Sequence, residues 1–175
     1  MCIIGDFGVH AQPQVTKSKE TTLGKYVNAQ EAYEMWKANP ATVKILDIRS
    51  RAEYVFVGHA PMAYLIPFLV FDQTWDSSRN RYPMTPNPDF MAAAKKLFAL
   101  QDTILVMCRS GGRSTAAVNA MAEAGFTNVY NIIDGFEGDA ENDKESYSYG
   151  KRIKNGWKNS GAPWTYDINP DLTYK

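Results

Sequence analysis

The stretch Thr103-Ile104-Leu105-Val106-Met107-Cys108-Arg109-Ser110-Gly111-Gly112-Arg113-Ser114-Thr115 decides how the chain reads. Thr103 to Met107 form an apolar, β-branched run, as expected of a strand buried on both faces of a parallel sheet. Two glycines break the run, and Ser114 to Ala124 then reads as a helix stopped by Gly125. Strand, glycine turn and helix in that order make half of a parallel crossover unit. Cys108 falls at the carboxyl end of the strand, where open parallel sheets place their ligands.

Adjacent glycines let the backbone curl until several N–H groups converge, and the helix N-terminus adds free donors of its own. Such a nest favours an anion at its centre. Here that anion is the Cys108 sulfur, or the outer sulfur of a persulfide built on it. Arg109 and Arg113 add positive charge. A buried, inert cysteine beside a structural turn is the plainer alternative. Two arginines, two glycines and a helix start behind the cysteine favour the reactive nucleophile.

Working outward, the same alternation recurs. Tyr26-Val27 reads as a short strand; Asn28 and Glu31 form a capping box opening a helix whose Ala32, Met35 and Trp36 face the core. Val43 to Ile48 is a second buried strand. Ser50 and Glu53 form another capping box, on a short helix ending near Gly58. Tyr64 to Ile66 reads as a third strand, and Asn87-Pro88-Asp89 starts a helix running through Phe90, Ala94 and Leu97. Asn128 to Ile133 is a last strand. The stretch from Phe68 to Pro86 lacks clear periodicity and reads as a long connection of the length that tends to be functional or mobile. The polar stretch at about 137–155 reads as an exposed insertion, after which Trp157 and Trp164 pack back. The whole predicts one α/β domain over residues 23–175. Its expected form is three layers: a central, mostly parallel sheet of about five strands with helices on both faces.

At 175 residues with 45% hydrophobic and 22% charged residues, the chain supports a real core. Lys+Arg and Asp+Glu are equal at 19 each, so no basic field points to nucleic acid. Two cysteines, Cys2 and Cys108, cannot make a disulfide framework. With only His10 and His59 and no Cys-x-x-Cys, a zinc site is poorly supplied, and neither metal nor cofactor is expected. No apolar run is long enough to span a membrane. Residues 1–22 read as a flexible N-terminal segment. Within it, Val9-His10-Ala11 before Gln12 looks like the cleavage site of an export-signal remnant, which implies a periplasmic or exported protein. A short apolar stretch containing Asp6, with no basic start, leaves a cytoplasmic protein as the alternative.

From Thr22 to Gly135 the chain resembles the rhodanese family of sulfurtransferases. The loop Cys108-Arg109-Ser110-Gly111-Gly112-Arg113 is similar to that family's six-residue active-site loop. Leu46 to Tyr54 with Gly58-His59-Ala60 looks like its upstream motif. The resemblance implies a catalytic Cys108 carrying sulfane sulfur as a persulfide, taken from a small anionic donor such as thiosulfate and passed to a thiol or cyanide acceptor. It implies substrate-binding roles for Arg109, Ser110, Gly111, Gly112, Arg113 and Ser114. Asp47, Arg49 and Glu53 match positions that brace loop and strand by ion pairing, and His59 shapes its turn. The chain departs from the family pattern at Asp134-Gly135-Phe136, where paired glycines are usual, and at Ala60 to Ala63. Two other readings stand beside this one: a persulfide carrier or interaction module without turnover, and a phosphatase or arsenate reductase of the same fold. The six residues from Cys108 to Arg113 weigh against a phosphatase, whose loop is one residue longer.

Overall fold

The structure, a computed structural model, describes residues 15–175. Cys2 and the cleavage-like site at Val9-His10-Ala11 lie outside the described residues. In chain order the elements are β1 (Tyr26–Val27), α1 (Ala29–Ala38), β2 (Val43–Asp47), α2 (Arg51–Val57) and β3 (Tyr64–Leu65). Then come β4 (Leu69–Phe71), β5 (Met84–Pro86), α3 (Phe90–Leu97), β6 (Thr103–Met107) and α4 (Gly112–Glu123). β7 (Val129–Ile132), β8 (Asp139–Ala140) and β9 (Arg152–Lys154) complete the set.

The central sheet has the order β1-β7-β6-β2-β3, and every pair in it is parallel. This is the α/β architecture that the sequence predicts. The pleat sends alternate residues to opposite faces. On β2 and β6 and the residue that follows each, Leu46, Ile48, Ile104, Val106 and Cys108 pack with α3 and α4. Val43, Ile45, Leu105 and Met107 pack with α1 and the segment around Trp157. The ends of the two strands are level, with Asp47 opposite Met107 and the Ile48 amide donating to the Met107 carbonyl at 2.9 Å. The loops that follow β2 and β6 are therefore neighbours, and that places the site.

Both expected capping boxes form: Asn28 with Glu31 on α1, and Ser50 with Glu53 on α2. Three local expectations are corrected. The connection after β3 is an antiparallel hairpin, β4 against β5, with Leu69 opposite Pro86 and Phe71 opposite Met84. Strands of three residues are too short to show a period, which is why the sequence read as irregular. α4 begins at Gly112 and not at Ser114, because Gly111 takes the left-handed conformation (φ 86°) and serves as its cap. In α3 the side chain of Leu97 is exposed and Phe98, just beyond the helix, is buried instead. Asn87 caps the turn that opens α3, its Oδ1 accepting from the Asp89 amide at 3.1 Å, and it has a second task. Its Nδ2 donates to the Pro67 carbonyl at 2.8 Å, and its amide donates to Phe68 at 3.0 Å. The base of the hairpin is thereby closed beside the end of β2.

Residues 15–22 bury no side chain but are hydrogen-bonded to the domain. Lys19 Nζ donates to the Ile133 carbonyl at 2.7 Å and the Thr22 amide to Asn119 Oδ1 at 2.8 Å. The polar stretch after β7 carries a second hairpin, β8 against β9. Beyond it Trp157 is fully buried, with its Nε1 donating to Pro163 O at 2.8 Å. The tail then pairs with the chain at His59 and along β3, through Leu65 N to Leu172 O at 2.8 Å and Tyr174 N to Leu65 O at 3.1 Å. Covering a sheet edge in this way removes a template for unwanted strand pairing. No helix among the described residues is long and apolar enough to cross a membrane.

Candidate active site

Cys108 is 1% exposed and lines a cavity of about 930 Å³. The Gly111 amide donates to Sγ at 3.2 Å. The Ser114 hydroxyl lies 3.4 Å from Sγ and 2.6 Å from Asn131 Oδ1, so its single proton serves one of them at a time. Of the amides expected to converge on the sulfur, one reaches the thiol itself. Those of Arg109, Ser110, Gly112 and Arg113 find no protein acceptor among the described residues, and these four residues line the cavity around Cys108. A helix start and a left-handed glycine at its cap leave such donors free, and their partial positive charge suits an anion.

The backbone that holds this loop comes from the turn after β7. Phe136 N donates to the Cys108 carbonyl at 2.8 Å, and Glu137 N to the Arg109 carbonyl at 2.9 Å. This approach requires Gly135, at φ 62°, where a Cβ would lie 2.5 Å from Cys108 O and 2.6 Å from Ser110 N. One glycine there suffices for the contact.

Asp47 and Arg49 form a fully buried ion pair, with Arg49 Nη2 2.7 Å from Asp47 Oδ2 and 2.8 Å from the Gly58 carbonyl. The guanidinium lies 4.0 Å from the centre of the Phe136 ring. It therefore supports the residue whose amide holds Cys108, rather than touching the sulfur. His59 is buried against Tyr54, the rings stacked at 3.6 Å, and its ring nitrogens face the carbonyls of Tyr54 and Asp167 at 3.0 and 3.1 Å. It ties the turn after α2 to the tail.

Arg113 departs from its expected role as an anion-binding fork. Its guanidinium is bound by Glu53 through two hydrogen bonds, one of them Nη1 to Oε2 at 2.9 Å. Glu53 also accepts from the Ser50 amide at 3.0 Å and hydroxyl at 2.9 Å, so one carboxylate caps α2 and holds the first turn of α4. Burial alone raises the Glu53 pKa, but the hydrogen bonds and charge of Arg113 and the Ser50 bonds outweigh it and bring it down to about 2. A depressed carboxylate stabilises the fold above its unfolded value near 4.5 and loses that contribution as pH falls toward 2. The urea midpoint should therefore fall between those two pH values. In Glu53→Gln that fall should be flatter, with stability near neutrality lower by about 1–2 kcal/mol after allowing for solvent screening. Parallel pH curves for the two proteins would show that the pair contributes nothing.

Arg109 is exposed at the cavity rim with no carboxylate partner among the described residues, and Ser110 beside it is half-buried. Ser114 is fully buried and lies behind the sulfur, away from the cavity lining. Two sets of residues were not evident from the sequence. Asn131, fully buried in β7, donates through Nδ2 to the Gly111 carbonyl and to Thr115 Oγ1, both at 3.2 Å. An asparagine within an otherwise apolar strand was the available signal. The other set is the hairpin, whose Leu69, Phe71, Arg81, Tyr82 and Met84 form a wall of the cavity.

A model of the rhodanese-like domain matches residues 28–142, from the first capping box through the Cys108 loop and its backing turn. The chain belongs to the rhodanese-like family. It is thus a member of a sulfur-transfer family. It is 35% identical over 125 residues to the chloroplast thiosulfate sulfurtransferase 16 of Arabidopsis thaliana, covering 71% of this chain and 94% of that protein. An uncharacterized protein of Rickettsia conorii is 31% identical over 138 residues, covering 78% of this rhodanese-like chain and 93% of its own. The crystal structure of Rv0390 from M. tuberculosis superposes with a TM-score of 0.63 at 28% identity, covering 82% of this chain and all of that one. Asp47, Arg49, Glu53 and the whole Cys108 loop fall inside the rhodanese-like match; the tail from Trp157 onward lies outside it.

Proposed function

We propose that the protein is a sulfurtransferase that carries sulfane sulfur as a persulfide on Cys108. The observation that carries this reading is the free-amide rim around a cysteine set at the end of β6. In the first step the Cys108 thiolate attacks the outer sulfur of a donor such as thiosulfate. A new S–S bond forms, the donor's S–S bond breaks, and sulfite leaves with the bonding pair. In the second step a thiol or cyanide acceptor attacks the outer sulfur of the persulfide, and Cys108 departs as thiolate. No net oxidant is needed in either step, and splitting the transfer in two is the advantage of covalent catalysis.

The amides of Arg109, Ser110, Gly112 and Arg113 are the donors proposed to hold the outer sulfur. The unpaired Arg109 guanidinium is assigned to the donor's sulfonate oxygens, for which a planar fork of N–H groups is suited. Arg113, already bound to Glu53, acts by fixing the first turn of α4. Intact-mass spectrometry after thiosulfate treatment tests the reading. The expected result is a gain of about 32 Da, located on the Cys108 peptide and removed by cyanide. A protein that forms the persulfide but turns over no acceptor would be a carrier; one that gains no mass is not a sulfurtransferase acting by this route.

A further inference from the structure

Thiosulfate and cyanide are small, yet the space above Cys108 is a cavity of about 930 Å³, the size of a site for an organic ligand. Its extra wall is the β4–β5 hairpin, which places large side chains where no packing inside the chain requires them. Phe71 is 48% exposed and Tyr82 56% exposed, with Trp75 edge-on to Tyr82 at 5.1 Å. Apolar groups concentrated on one exposed hairpin beside a nucleophile signal a binding surface. Arg81 lines the same wall. Of the two hairpin carboxylates, Asp76 is taken by Arg79 at 3.1 Å and Asp72 accepts from the Thr74 amide at 2.8 Å, and Arg81 has no ion-pair partner among the described residues. Arg109, also in the lining, has no ion-pair partner among the described residues, while Glu53 is occupied by Arg113 and Glu137 is the remaining carboxylate of the lining. The free charge in the cavity is thus two cations against one anion.

Resting on the persulfide reading above, we propose that the hairpin is the acceptor-binding wall. It selects a low-molecular-weight organic thiol that carries a carboxylate, with Arg81 binding that carboxylate and Phe71, Tyr82 and Met84 flanking its apolar body. Cys108 is 1% exposed and lines the cavity, so an acceptor must enter the space. This favours a small thiol over a cysteine on the surface of a folded protein. The acceptor thiolate attacks the outer sulfur, the Cys108 S–S bond breaks, and the acceptor leaves as its own persulfide.

The test isolates the second half-reaction. Cys108 is loaded from thiosulfate, the added mass is verified, the donor is removed, and discharge is timed with N-acetylcysteine and with N-acetylcysteine amide. The two thiols share a body and differ in the carboxylate; comparing the acid-to-amide rate ratio between protein variants cancels their intrinsic reactivities. Relative to wild type, Arg81→Ala is expected to lower that ratio roughly fivefold to tenfold, the contribution of one charge-assisted contact. Arg81→Lys should retain most of the ratio, and Arg81→Glu should lower it further. Equal ratios in all four proteins would overturn the assignment while leaving the persulfide reading intact. So would faster discharge by a reduced protein dithiol that alone depended on Arg81. Failure to load sulfur at all would instead remove the proposed function, and the acceptor wall with it.

Discussion

Cys108→Ser is expected to lower thiosulfate-to-cyanide sulfur transfer by at least about 10³-fold while the protein stays folded. A nucleophile that forms the covalent intermediate cannot be replaced by its neighbours, and losses on this scale are usual when it is removed. The hydroxyl oxygen that takes its place is a far weaker nucleophile near neutral pH and holds no sulfane sulfur. The fold should tolerate the change because the new Oγ inherits the Gly111 amide and the Ser114 hydroxyl as partners, so a buried polar atom is not left unsatisfied. Matching circular dichroism and a thermal midpoint within a few degrees of wild type would confirm that the lost activity is chemical. Transfer persisting near the wild-type rate would mean that Cys108 does not carry the sulfur.

The second large effect concerns two adjacent glycines with opposite expectations. At Gly111, with φ 86°, an added Cβ would overlap the Ile133 carbonyl and lie 2.9 Å from the Ile133 Cα. The obstacle is backbone of the neighbouring strand end, which has no rotamer to retreat into. Gly111→Ala should destabilise the domain by about 3 kcal/mol or more, from left-handed strain plus displaced backbone. For a chain of this length that lowers the thermal midpoint by roughly 6–12 °C. The Gly111 amide moves with its backbone, so persulfide loading should fall as well. At Gly112, on the first turn of α4, a Cβ meets nothing within 4 Å and the backbone is helical. Gly112→Ala should leave stability unchanged or raise it by about 0.5–1 kcal/mol. Thermal denaturation of both variants decides the matter; equal midpoints would refute the steric account.

Much of this is legible in the amino-acid sequence alone. Runs such as Thr103 to Met107, each strand followed by a helix, dictate a parallel sheet, and that sheet places Cys108 at its carboxyl edge. The boxes Asn28/Glu31 and Ser50/Glu53 are local, so their hydrogen bonds follow from spacing alone. What escaped reading depends on distant partners. The occupation of Arg113 by Glu53 joins residues sixty positions apart. It follows from the level ends of β2 and β6, a register that no local pattern reveals. Asn131 could be seen as a polar residue in a strand, but its grip on the Gly111 carbonyl required the packing of α4 on β7. The hairpin wall was hidden because three-residue strands carry too little alternation to distinguish them from loop. Gly135 looked like half of a missing pair, whereas one residue without a Cβ already gives the contact with the loop backbone.

The second hairpin has a use in engineering. Gly138 and Gly156 stand back to back: a Cβ on Gly156 would strike the Gly138 backbone, and the Gly156 amide is held by Asp134 Oδ2 at 2.8 Å. Residues 139–155 thus leave the domain and rejoin it at one gate, and closure entropy depends only weakly on how much chain hangs between the posts. That gate is a natural splice point. A reporter module or an immobilisation tag can replace the excursion there while the two glycine posts that frame it stay in place.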